Sequence, residues 1–244
     1  MLKANARIAL VTGANKGIGL EIARQLATSG VHVLLGARDE NRGAISADQL
    51  SKEGLDVSCV RIDVCDEESI LKAARKIESE YGKLDILVNN AGIVVQGDTA
   101  PSAAPLNVVR KVFDTNFFGA VAVVQAMLPL LRNARAGRII NISSSLGSLT
   151  LNGDPNYPGY DVRLLGYNTS KAALNMLTVQ LSSELKDTNI KVVSVCPGLT
   201  KTDLNGHMGD RLPSQGAAEP VRVALSDSNE LSSLFRDENG ELPW

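Results

Sequence analysis

Tyr167 and Lys171 stand at positions i and i+4 near the start of an apolar helical stretch, so their side chains share one helix face. A free tyrosine titrates near pH 10 and is a poor acid–base group at neutral pH. A neighbouring ammonium favours the phenolate, so Lys171 is expected to lower the Tyr167 pKa. Such a pair could hand a proton to a carbonyl oxygen. A second chemical signal lies near the start of the chain, in Thr12-Gly13-Ala14-Asn15-Lys16-Gly17-Ile18-Gly19. The glycines permit a tight turn and let backbone N–H groups approach a pyrophosphate, while the helix that follows adds partial positive charge and unpaired donors. The spacing is G-x-x-x-G-x-G rather than G-x-G-x-x-G, and no G-K-[ST] closes it as in a Walker phosphate loop.

These residues need elements to hold them. Strand-like apolar runs occur at Ile8–Val11, Val31–Leu35, Val57–Ile62, Leu84–Val88, Arg138–Ile142 and Lys191–Val195. They lack polar/apolar alternation, which predicts strands buried on both faces, as in a parallel sheet covered by helices. Helix-like stretches fall between them, near Ile18–Ser29, Ala44–Glu53, Glu67–Tyr81, Asn107–Leu131, Tyr167–Lys186 and Gly216–Leu225. The repeated order predicts an α/β fold with a doubly wound sheet. No break in composition divides residues 1–244, so one domain is expected. Two long loops, about 148–165 and 198–216, follow strands and should lie at the carboxyl edge of the sheet, where open α/β folds bind ligands.

Composition narrows the function classes. A chain of 244 residues can bury about 70–75% of its unfolded surface and needs no staples. A net charge of −2 leaves no basic footprint for nucleic acid. The histidines, His32 and His207, and the cysteines, Cys59, Cys65 and Cys196, do not fall at metal-ligand spacing, so no metal site is expected. Three scattered cysteines suit a reducing, cytoplasmic compartment. The N-terminal segment runs into a strand with no signal-peptide pattern. The most apolar stretch, Phe117–Leu131, is too short to span a bilayer and reads as a core helix, so no membrane partner is expected.

The sequence resembles the short-chain dehydrogenase/reductase family. The matches run in the family's order: Thr12-Gly13-x-x-x-Gly17-Ile18-Gly19, Asp63-Val64, Asn89-Asn90-Ala91-Gly92, Asn116, Ser144, Tyr167-x-x-x-Lys171 and Pro197-Gly198. Within the family it looks like the carbonyl reductases, by Asn15-Lys16-Gly17-Ile18-Gly19, Ala37-Arg38-Asp39 with Arg42, Thr115-Asn116-Phe117-Phe118-Gly119 and Pro243-Trp244. The resemblance implies a single-domain Rossmann fold with a mostly parallel seven-stranded sheet and helices on both faces. It also implies reduction of small or aryl ketones and aldehydes by NADPH, forming NADP+. Tyr167 would be the proton donor, Ser144 the donor that polarises the substrate oxygen (with Ser143 as fallback and Gly147 as the motif glycine), Lys171 the holder of the ribose and Asn116 the fourth member of the proton relay.

The cofactor contacts it implies are Gly13, Asn15, Lys16, Gly17, Ile18, Gly19, Arg38, Asp63, Val64, Asn90, Ala91, Gly92, Tyr167, Lys171, Pro197, Gly198, Thr200 and Thr202. Family members that use NAD usually carry aspartate where Ala37 stands. Here Arg38 follows, and a guanidinium can hold a 2′-phosphate bidentately. Lys16 supplies a second cation, and Asp39 is the dissenting carboxylate. Tyr167 lies farther from Ser144 than is commonest in the family, which places extra residues in Leu151–Arg163. Tyr157 and Tyr160 lack a lysine four residues on and are not the catalytic tyrosine. The extra residues should border the substrate pocket and alter the helix face used for oligomerisation, so a homodimer and a homotetramer both stay open. Other readings are a 3-oxoacyl thioester reductase, for which Arg132, Arg135 and Arg138 would form a basic patch at the pocket mouth, a polyol or alcohol dehydrogenase, and a non-catalytic dinucleotide sensor. His207 is assigned no role.

Overall fold

Runs rich in Val, Leu and Ile form a single sheet because only the interior can take strands apolar on both faces. The computed structural model describes residues 6–226 and 234–244. Its strands are β1 (Ile8–Val11), β2 (His32–Ala37), β3 (Val57–Arg61), β4 (Ile86–Asn89), β5 (Arg138–Ile142), β6 (Lys191–Val195), β7 (Leu234–Asp237) and β8 (Gly240–Glu241). They lie in the order β3-β2-β1-β4-β5-β6-β7-β8. All neighbours from β3 to β7 are parallel. The expected seven-stranded sheet is thus corrected to eight strands among the described residues: the two-residue β8 folds back antiparallel on β7 through the Asp237–Gly240 hairpin.

The helices are α1 (Gly17–Thr28), α2 (Glu40–Lys52), α3 (Glu67–Tyr81), α4 (Leu106–Phe113), α5 (Gly119–Arg132), α6 (Leu149–Asn152), α7 (Leu165–Glu184) and α8 (Pro213–Leu225). Period-2 geometry sends alternate strand residues to opposite cores. Ala9 and Val11 of β1 join one buried cluster with Ile22 and Leu26 of α1. Ile8 and Leu10 join the other with Ile77 of α3 and Met127 of α5. Each fully buried Leu or Ile contributes about 1.5–3 kcal/mol.

Local chemistry moved several boundaries. α2 starts at Glu40 rather than Ala44 because the Asp39 carboxylate accepts the Arg42 amide at 3.0 Å and caps the helix. The apolar stretch around Asn107–Leu131 is not one regular helix: α4 widens into a π turn, Asp114–Phe118, before α5. By length and hydropathy, residues 106–132 could cross a membrane. Here α5 buries Val123, Val124, Met127, Leu130 and Leu131 as a core helix. α8 starts at Pro213, earlier than Gly216, with the Leu212 amide donating to Gln215 Oε1 at 2.7 Å. The loop at about 148–165 contains α6, and the loop at about 198–216 contains a short 3-10 turn, Asp203–Asn205.

Candidate active site

The glycine turn joins β1 to α1, with Gly13 at φ 62° and Gly17 at φ 58°, a left-handed backbone that favours glycine. Space dictates glycine at position 19. A Cβ there would stand 2.4 Å from Asn90 Nδ2 and 2.7 Å from the Gly13 carbonyl oxygen. Asn90 locks this turn to the end of β4, since its Nδ2 donates to the Thr12 and Gly13 carbonyls at 2.9 and 3.1 Å. The Thr12 hydroxyl accepts the Asn90 and Ala91 amides at 3.0 and 3.1 Å. Lys16, the N-cap residue of α1, makes no side-chain cap, so the first amides of the helix are left for another acceptor. Ile18 packs against the core, and the Asn15 carbonyl accepts the Ser46 hydroxyl at 2.9 Å, tying the turn to α2.

The remaining expected cofactor residues lie along the same carboxyl edge. Asp63 and Val64 follow β3. The Asp63 carboxylate accepts the Cys65 amide at 3.0 Å, and Val64 packs so closely on Gly119 that a Cβ there would meet it at 2.9 Å. Arg38 is exposed just past the end of β2 and makes no ion pair among the described residues. Asp39 is occupied, capping α2 and pairing with Arg42 at 3.5 Å. Lys16 is also engaged, its ammonium 2.6 Å from Asp203. That pair, reinforced by His207 at 3.0 Å, lowers the Asp203 pKa. After β6 come Pro197 and Gly198, the latter at φ 73°. Thr200 is buried and turns its hydroxyl onto the Pro197 and Gly198 carbonyls, at 3.2 and 3.3 Å. Thr202 faces the glycine turn: a Cβ on Gly17 would lie 3.5 Å from its methyl group.

The residues expected to react come together at the same sheet edge. α7 carries Tyr167 and Lys171. The 3-10 turn at Ser145–Gly147 presses on α7 so tightly that a Cβ at Gly147 would stand 2.7 Å from the Lys171 carbonyl carbon, which explains the glycine there and sets Ser144 beside the phenol. Ser143, the fallback, is buried and donates to Asn175 Oδ1 at 2.7 Å. Lys171 is 4% exposed, and its Nζ donates to the Ile142 carbonyl at 2.8 Å. Gly92 borders both Lys171 and Asn116, each 3.5 Å from where its Cβ would be. Asn116 sits in the π turn, a feature frequent at functional sites. Its Oδ1 accepts the Ile93 amide at 2.8 Å, and its Nδ2 donates to the Ile93 carbonyl at 3.0 Å and to Ser170 Oγ at 3.1 Å.

Electrostatics correct one expectation. Burial pushes the Tyr167 phenol up to about 12, with the Cys196 thiol adding to the rise and the Ser144 hydroxyl opposing it. Burial also lowers the Lys171 ammonium to about 8. Lys171 therefore does not depress the tyrosine, because desolvation dominates both groups. The basic patch does not reach the site either: Arg138 opens β5 at the amino edge, opposite Ser144, and its guanidinium donates to the Ser226 carbonyl at 2.9 Å. Arg132 and Arg135 lie at that same edge, in and just after the last turn of α5.

Sequence reasoning missed two neighbours of the site. The Tyr157 hydroxyl donates to Ser145 Oγ at 2.6 Å and pins the extra residues beside Ser144. The Asp98 carboxylate accepts the Gly166 and Tyr167 amides, each at 2.8 Å. Neither contact leaves a mark in local sequence.

Comparison with known proteins follows the same lines. Residues 7–212 match the family model described as short chain dehydrogenase. The chain is 35% identical to short-chain dehydrogenase/reductase 1 of Saponaria officinalis, over 99% of this chain and 97% of that one. It is 34% identical to carbonyl reductase (NADPH) 1 of Bos taurus, over 97% and 98% of the two chains. The crystal structure of an NADPH-bound carbonyl reductase from chicken fatty liver superposes with a TM-score of 0.86 at 31% identity, covering 98% of this chain and all of that one (100%).

Proposed function

Because the chain belongs to the short-chain dehydrogenase/reductase family, we propose that it is an NADPH-dependent carbonyl reductase acting on small or aryl ketones and aldehydes in the cytoplasm. The observation that carries the reading is the convergence of Ser144 and Lys171 on Tyr167, at the sheet edge that also holds the glycine turn. When bound, the reduced nicotinamide supplies the hydride. With a pKa raised to about 12, the Tyr167 phenol holds its proton at neutral pH and can give it to the substrate oxygen. Ser144 is placed to donate to that same oxygen and stabilise its developing charge. Lys171, lowered to about 8, is mostly cationic at neutral pH and can hold the ribose hydroxyls from its seat on Ile142.

The residues present fit the dinucleotide. The left-handed glycines Gly13 and Gly17, which shape the turn, and the uncapped first amides of α1 make the cradle for its pyrophosphate. For the 2′-phosphate, support comes from Arg38, exposed at the end of β2, and from Asp39, whose carboxylate is spent on capping α2 rather than open to a ribose hydroxyl. Bovine and chicken relatives with NADPH in their names point the same way. A thioester reductase fits less well, because Arg132, Arg135 and Arg138 stand at the far edge of the sheet.

The test is NADPH consumption, followed by its absorbance, against a panel of activated ketones and aldehydes with chiral analysis of the alcohols. Turnover is expected in the wild type, and Tyr167→Phe should lose about 100-fold or more of kcat. A wild type silent over the whole panel, or a Tyr167→Phe enzyme with normal turnover, sinks the reading.

A further inference from the structure

α7 begins without a cap of its own. Its N-cap position is Leu164, whose side chain can accept no hydrogen bond. A helix start needs acceptors for its first amides. These arrive from the loop after β4: the Thr99 carbonyl accepts the Leu165 amide at 3.0 Å, Asp98 Oδ1 the Gly166 amide at 2.8 Å, and Asp98 Oδ2 the Tyr167 amide at 2.8 Å. Asp98 is 8% exposed, and its own amide donates to the Val95 carbonyl at 3.0 Å, so the carboxylate is fixed at both ends. Glycine at 166 is what lets it reach, because a Cβ there would lie 3.2 Å from Asp98 Oδ2 and 3.3 Å from Val109 Cα.

We infer that Asp98 is a positioning residue for the reaction, clamping the first turn of α7 so that the Tyr167 phenol stays at the depth where Ser144 meets it. The inference rests on the proposed role of Tyr167 as proton donor. Bonds from amides to an ionised carboxylate are the stronger kind, and the positive end of the α7 dipole adds to them. One of the two clamped amides belongs to Tyr167 itself, so little chain lies between clamp and phenol to absorb a displacement. Proton transfer demands hydrogen-bond reach, and a slip of about 1 Å can cost about 100-fold in rate.

The experiment uses the full chain and three variants. Asp98→Ala removes both acceptors. Asp98→Asn keeps one acceptor and turns an NH2 toward the other amide. Gly166→Ala leaves Asp98 in place but crowds it. Each is assayed well below its melting temperature for kcat, for NADPH dissociation constant by fluorescence, and for amide hydrogen exchange along α7. Asp98→Ala should lose about 10- to 100-fold of kcat with NADPH affinity unchanged, and Asp98→Asn should lose less. Exchange should quicken at Gly166 and Tyr167 and not in the later turns. Gly166→Ala should lower kcat even though alanine favours a helix. A folded variant set with wild-type kcat overturns the inference, as does a parallel loss of kcat and NADPH affinity. If wild type reduces no carbonyl, the proposed function has failed, and the exchange arm still decides the clamp: unchanged protection at Gly166 and Tyr167 overturns it.

Discussion

Lys171 Nζ lies 5.6 Å from the centre of the Tyr167 ring and donates to the Ile142 carbonyl at 2.8 Å, so the ammonium stands beside the phenol without bonding it. The two groups respond to burial in opposite senses of charge. Each is pushed toward its neutral form, the phenol upward and the ammonium downward. This suits the proposed proton donation: the acid keeps its proton, and the cation is the first of the two to titrate.

The pH dependence follows. For carbonyl reduction, kcat/KM should be flat near neutrality and fall as pH rises through about 8, where Lys171 loses its charge, while Tyr167 stays protonated up to about 12. Stability should move the other way over that window. Between about 8 and 10.5 the unfolded chain binds a proton on Lys171 that the folded chain does not, so the free energy of unfolding rises with pH. The full effect is about 3 kcal/mol. Between 10 and about 12 the unfolded tyrosine gives up a proton that the folded one keeps, and stability falls again. Urea denaturation of the wild type and Lys171→Met at several pH values checks this. A Lys171→Met protein with the same slope as wild type between about 8 and 10.5 contradicts the assignment.

The proposed preference for NADPH rests chiefly on Arg38. Arg38→Asp removes the cation at the end of β2 and puts a carboxylate where a 2′-phosphate would sit. The KM for NADPH should rise by about 100-fold, consistent with the loss of a charge-assisted pair worth about 1.5–3 kcal/mol plus new repulsion. The KM for NADH should change little or fall. Lys16→Ala should do less, because its ammonium is already 2.6 Å from Asp203. Steady-state kinetics with both cofactors decide it, and an unchanged NADPH-to-NADH ratio removes Arg38 from the role.

Much of this arrangement was legible before the fold. The apolar runs match β1, β5 and β6 to the residue, because central parallel strands are largely continuous apolar runs. β7 and β8 do not show, since Leu234-Phe235-Arg236-Asp237 is half charged and the edge strand β8 is only two residues long. Gly147 was readable only as a motif member, and its reason, the backbone of α7 pressed against it, is a tertiary fact. For the Tyr167 pKa the sequence points in the wrong direction, because a neighbouring charge is visible in a sequence and desolvation is not. Asp98 and Tyr157 left no sign, as each acts on residues placed beside it only by the fold.

In the proposed reductase, the last strands brace the loops expected to border the substrate. Leu242 donates to the Phe235 carbonyl at 2.7 Å, and the Trp244 ring stacks on Phe235 with centroids 5.6 Å apart. From there the main chain reaches the start of the loop after β5: the Pro243 carbonyl accepts the Ser148 hydroxyl at 2.7 Å, and the Trp244 main-chain oxygen accepts the Thr150 amide at 3.0 Å and its hydroxyl at 2.7 Å. On the other side Glu238 pairs with Arg211 of the second loop. β7, β8 and the tail therefore brace both loops that border the cleft. None of these contacts touches the glycine turn or Lys171. Removing Pro243 and Trp244 should raise the KM for a bulky aryl ketone several-fold, leave NADPH affinity as it was, and cost about 0.5–1.5 kcal/mol of stability through the lost ring stack. Kinetics, cofactor titration and melting of the shortened chain measure the three together. A KM that stays at the wild-type value would mean that the loops hold their shape without the tail, and that Tyr157 on Ser145 is brace enough.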